Sequence, residues 1–116
     1  MRSAVATTFE LDDVEVSVRE LAASIREQLT LEQNSVGILL CDADADGAGI
    51  SAGLESLLGI PIAGMTSLAT FSSQGYHEAA VVLTVLTAVD VHFTLAASAS
   101  FDDSYEEQMA QAYQQA

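Results

Sequence analysis

Three aspartates at alternate positions, Asp42, Asp44 and Asp46, followed at once by Gly47, have the most chemically specific spacing in this sequence. Alternating carboxylates ahead of a glycine match the opening of a calcium loop. There, oxygen ligands come from positions 1, 3 and 5, and the glycine allows a sharp turn. Position 12 of such a loop should be a bidentate Glu, and here it is Gly53. An apolar stretch of strand length precedes the loop where a helix would be expected. The same residues therefore have a second interpretation, as a strand-to-helix connection in which Asp44 or Asp46 caps the following helix.

An apolar strand ending in Asp-x-Asp also resembles the nucleophile strand of haloacid-dehalogenase-type phosphatases, with Asp42 as nucleophile and Asp44 as acid. That chemistry needs a cation for the phosphoryl group and a downstream acidic magnesium site. The chain has no Lys, and its three Arg all precede residue 27. Cys41 ends the strand, and His77 and His92 lie further on, so a Cys/His pair is a candidate. The acids beside Cys41 would raise its pKa and favour an inert core thiol. Ser67, Ser72 and Ser73 have no G-x-S-x-G setting. No glycine-rich dinucleotide fingerprint and no zinc spacing are present.

A quieter stretch carries more. Gly64 lies near the end of an apolar run and is followed by Thr66 and Ser67. A loop with Ser72 and Ser73 then closes on Gly75-Tyr76-His77. Glycines permit close backbone approach and the hydroxyls supply hydrogen bonds, a combination suited to a small polar ligand. The alternative is a connection whose hydroxyls are satisfied locally.

The run PIAGMTSLATFSSQGYHEAAVVLTVL resembles the FIST N-terminal sensory domain. The matching pieces are Ile62, Gly64, Thr66, Ser67, Gly75 and the strand from Ala79 to Leu86. The upstream layout is similar too, with an apolar strand from Val36 to Cys41 and a helix ending in Leu57-Leu-Gly-Ile-Pro61. The resemblance covers most of the chain but only the first part of that longer domain. It implies small-molecule sensing, with amino acids as one ligand class, and transmission of the signal to an attached signalling domain or partner. The acidic loop at 42–47 departs from the family's pattern.

These residues need elements to hold them. Ser3 to Phe9 reads as a strand. Asp12 and Asp13, with Glu15, form a helix start of capping-box type. Val14, Val18, Leu21, Ala22, Ile25 and Leu29 then give a helical face over Asp13 to Leu29. Ser35 to Cys41 is continuously apolar, as in a strand buried on both faces. A helix over Ala48 to Leu58 stops at Gly59, and Ile60 to Thr66 makes a third strand. This order implies parallel pairing among the first three strands. Ala79 to Thr87 and Val91 to Ser100 read as a hairpin. Asp102 and Asp103 cap a final helix with the stripe Tyr105, Met109, Ala112 and Tyr113. The expected fold is α/β with a mixed sheet: a β-α-β-α-β start, an antiparallel hairpin and a C-terminal helix, in one domain over 1–116.

Composition bounds the function. Seventeen acids against three Arg give a net charge of −14, which disfavours nucleic acid and anionic membrane surfaces. Without Lys there is no Schiff base and no P-loop. A single Cys forms no internal disulfide, the first residues contain no apolar leader, and no run reaches membrane-spanning length, so a cytoplasmic domain is expected. Residues 47–100 hold only three acids, Glu55, Glu78 and Asp90, and no Arg. That stretch is either core or the cover of another surface. The expected function is a non-catalytic, small-molecule-sensing domain with its site at Gly64, Thr66, Ser67, Ser72, Ser73, Gly75, Tyr76 and His77. The alternatives are a divalent-metal domain using Asp42, Asp44 and Asp46, with calcium as the candidate ion, or a self-associating module that pairs through the low-charge stretch.

Overall fold

The computed structural model describes residues 1–72, 75–97 and 105–116. The strands are β1 (Arg2–Thr8), β2 (Asn34–Asp42), β3 (Ile62–Ser67), β4 (Thr70–Ser72), β5 (Gly75–His77) and β6 (Val81–Ala88). The helices are α1 (Val14–Gln28), α2 (Gly47–Leu58) and α3 (Tyr105–Gln115). Four strands form a mixed sheet in the order β1-β6-β2-β3, and β4 and β5 pair as a separate antiparallel hairpin. The fold is α/β, as the sequence implies.

Both main helices start and stop where local chemistry directs. Asp13, rather than Asp12, caps α1, its side chain accepting from Val16 N at 3.2 Å. Glu10 takes the other half of the capping role, with Oε1 accepting from the N–H groups of Asp12 and Asp13. Asp46 caps α2 by accepting from Gly49 N at 3.0 Å. Gly59 ends α2 at φ 68°, a left-handed conformation that costs glycine nothing. Arg26 of α1 donates to Leu57 O at 2.7 Å, placing a cation on the negative end of α2.

The apolar stripes of the helices meet one face of the sheet. Leu21 and Ile25 of α1 and Ile50 and Leu54 of α2 are fully buried, in one cluster with Leu39, Cys41, Ile62, Val81, Leu83 and Val85. The β1-to-β2 and β2-to-β3 crossovers run the same way along the sheet, so α1 and α2 share one face and pack on each other. The opposite face has no such cover from these helices. There Ile38 is 44% exposed and Leu40 is half-buried, so β2 is not buried on both faces as its sequence suggests.

Two expected pairings differ. β1, β2 and β3 do run in one direction, but β1 and β2 are not neighbours, because β6 lies between them and is antiparallel to each. That insertion also removes the expected hairpin with Val91 to Ser100. With both edges of β6 occupied, a following strand has no place beside it. Residues 91–97 accordingly have no strand assignment, and 98–100 lie outside the described residues. The antiparallel hairpin falls instead at 70–77, within the expected Ser/Thr-rich loop, with Phe71 opposite Tyr76. The expected caps Asp102 and Asp103 also lie outside the described residues. α3 is present, but its stripe residues Tyr105, Met109 and Tyr113 are exposed.

Urea denaturation is expected to show a loss of about 2–5 kcal/mol for Leu54→Ala, which empties the helix–sheet seam. Asp13→Ala, which removes only a cap, should lose about 1 kcal/mol.

Candidate functional site

Because β1, β2 and β3 point the same way, their carboxyl ends lie along one rim of the sheet, the usual place for ligands in α/β folds. On that rim a cavity of about 330 Å³ opens between β2, β3 and the first turns of α2. Its walls are Leu39, Cys41, Gly64, Met65 and Thr66 from the strands and Gly47, Ala48 and Ser51 from the helix. The register pairs Leu39 with Gly64 and Cys41 with Thr66, so these four share the helix-covered face.

Glycine is required at 64 by close packing. A Cβ there would sit 2.6 Å from Leu39 O and 3.0 Å from Leu39 Cβ, so neighbouring backbone would have to move. At Gly47 a Cβ would stand 3.6 Å from Cys41 Sγ and 4.0 Å from Thr66 Cγ2, in ordinary contact. Gly47 therefore leaves room in the cavity without being demanded by the fold.

The rim is acidic, but its carboxylates are engaged locally. Asp42 is buried, with Oδ1 accepting from Asp44 N at 2.9 Å, and Asp46 is committed to its cap. Asp44 is exposed. Among the described residues no group of three His, Cys, Asp or Glu side chains is placed to hold a metal ion, so the alternate spacing of 42, 44 and 46 does not become a donor set. The physical reason is the cap: with Asp46 turned onto the α2 N-terminus, the segment forms a helix entry rather than a wrap around an ion. The helix start has little left for an anion, since Gly47 N donates to Ala45 O and Gly49 N to Asp46.

The Cys41 thiol faces this cavity. Burial pushes its pKa up, and the charges of Asp42 and then Asp46 push it further. A suppressed thiolate is a poor nucleophile. Neither His77 nor His92 lines the cavity. His77 instead sits edge-on to Phe9, ring centroids 5.2 Å apart, beyond the end of β1.

Of the expected ligand residues, Gly64 and Thr66 come together in the cavity. Ser67 falls on the opposite face, its hydroxyl donating to Ala69 O at 2.5 Å in a local turn, the bland alternative for that residue. Gly75 adopts φ 126°, and Tyr76 is exposed on β5. The hairpin carrying them contacts the ends of β2 and β6 along the same rim. Ser72 is the last residue of β4, and Ser73 lies outside the described residues. Sequence reasoning missed Gly47, Ala48 and Ser51. The signal for them was present in the parallel β2-α2-β3 order, which brings the first turn of α2 over the strand ends.

Two outcomes are expected. Gly64→Ala should lower stability by about 1–3 kcal/mol through the forced shift at Leu39, read as a lower denaturation midpoint. Iodoacetamide at neutral pH should leave native Cys41 unmodified and label it once the chain is unfolded in urea, because the folded environment holds the thiol protonated. No family model, no curated protein and no solved structure matches this chain.

Proposed function

We propose that this chain is a non-catalytic, small-molecule-binding domain of the sensory kind implied by its resemblance to the FIST N-terminal domain. The carrying observation is the cavity of about 330 Å³ at the carboxyl ends of β2 and β3, with the hydroxyl-bearing residues Thr66 and Ser51 among those lining it. Its size suits a small ligand held by a few convergent polar groups. The exposed acids at its rim and the satisfied start of α2 favour a neutral or ammonium-bearing ligand over an anion. A thiol kept protonated, with no histidine on the walls, supports recognition without covalent chemistry. No helix among the described residues is long and apolar enough to cross a membrane.

The test is calorimetric titration with a panel of free amino acids and small amines. Saturable binding is expected for at least one ammonium-bearing member, unaffected by EDTA. Gly47→Ala, whose added methyl meets Cys41 and Thr66 only at ordinary contact distance, should weaken it by about tenfold while leaving the melting temperature within a few degrees. Thr66→Val should weaken it comparably by removing a hydroxyl. Absence of heat with every member, or binding indifferent to both substitutions, would sink the assignment.

A further inference from the structure

The hairpin of β4 and β5 puts its two largest side chains into water. Phe71 and Tyr76 stand directly opposite each other in its ladder, 72% and 70% exposed. Alternation along β4 explains their direction. Thr70 is buried, so Phe71 beside it must face away, and the ladder puts Tyr76 on the same side. Cβ atoms of such a pair stand about 4.5–5.5 Å apart, close enough for the rings to form one apolar surface. Leu68, just ahead of β4, is exposed as well. The free chain gains little from this arrangement, because a two-stranded hairpin of three-residue strands is marginal and its aromatic side is left in water.

The charges around the hairpin have one sign. It sits at the carboxyl rim of the sheet, against the ends of β2 and β6. The same rim receives Glu10, Asp12 and Asp13 from the β1-to-α1 turn and the three aspartates of the 42–46 loop. Glu78 directly follows β5 and is exposed. The arginines lie elsewhere. Arg2 begins β1 and Arg26 is in the last turn of α1, both toward the far end of the sheet, and Arg19 is six residues past the α1 cap at Asp13.

We propose that Phe71 and Tyr76 anchor a docking surface for a basic, arginine-bearing protein segment. An exposed aromatic pair supplies the apolar anchor that protein interfaces use. The acids around it select the charge of the partner. A guanidinium stacks on aromatic rings and pairs with carboxylates, so it satisfies both features of this rim at once. A second copy of the chain, at net charge −14 and without Lys, is repelled there, as are nucleic acid and an anionic membrane surface. Neither Phe71 nor Tyr76 lines the cavity between β2, β3 and α2, so the docking surface is independent of the small-molecule reading.

Fluorescence anisotropy of the full chain with a labelled synthetic peptide, Arg-Leu-Arg-Leu-Arg-Leu, tests this, beside the same peptide with Glu in place of Arg. Saturable binding of the arginine peptide alone is expected, weakening as salt rises from about 50 to about 500 mM. Phe71→Ser and Tyr76→Ser alter exposed side chains and no charge. Each should keep the melting temperature yet weaken binding by at least about fivefold. Glu78→Gln should weaken it by about twofold at low salt. No binding, or equal binding of the glutamate peptide, would overturn the proposal. So would binding that both aromatic substitutions leave unchanged, because net charge alone would then be attracting the peptide. In sedimentation equilibrium the chain alone should stay at 12.2 kDa, and a dimer that Phe71→Ser dissolves would give the surface to a second copy instead.

Discussion

The burial of one sheet face under α1 and α2 is the constraint on which the rest of this protein depends. Leu21, Ile25, Ile50 and Leu54 are fully enclosed, and each side chain of this size contributes about 1.5–3 kcal/mol when taken from water. Both helices must lie on that face because the two crossovers step the same way across the sheet. From this follow the position of the cavity, under the first turns of α2, and the openness of the other face. Several of the polar groups that enter the core find partners there, although the buried Thr70 hydroxyl has none among the described residues. Ser35 and Thr87 share a buried hydrogen bond at 2.7 Å, and Thr87 also accepts from Glu32 N. Ser17 donates to the carbonyls of Glu10 and Asp13 and so fixes the entry of α1.

The charge distribution serves the same division. The acids cluster on α1, at the 42–46 loop and near the C-terminus, while β6 is enclosed almost along its length. Glu55, one of the three acids in the charge-poor segment, has a structural reason to be there. It lies in the charge-poor segment because its carboxylate takes up an edge N–H of β3 beside a buried isoleucine. The low-charge stretch is thus two things: core in β6, and in β3 an exposed edge that Glu55 partly caps.

Much of the architecture was legible in the residues. Apolar spacing placed α1 and α2 to within one residue, Gly59 marked the end of α2, and the apolar run at 35–41 marked β2. Gly64 and Thr66 were singled out in the sequence as a glycine and a hydroxyl near a strand end, and the structure places both beside the cavity. Ser67, the residue directly after Thr66, fell on the other face because strand side chains alternate. The aspartates could be read either as ligands or as caps, and the direction Asp46 faces, onto Gly49 N, is not encoded in spacing.

By itself the sequence determined the helix faces, the turn glycines, the direction of the first three strands and the location of the acids, since each depends on residues close in the chain. The tertiary structure alone decided that β6 separates β1 from β2, that the hairpin forms at 70–77, and that β3 is left as an edge. Those are choices between distant segments competing for the same ladder. β6, apolar on both faces, wins the central place because it buries the most there, and once both of its edges are filled nothing downstream can pair with it.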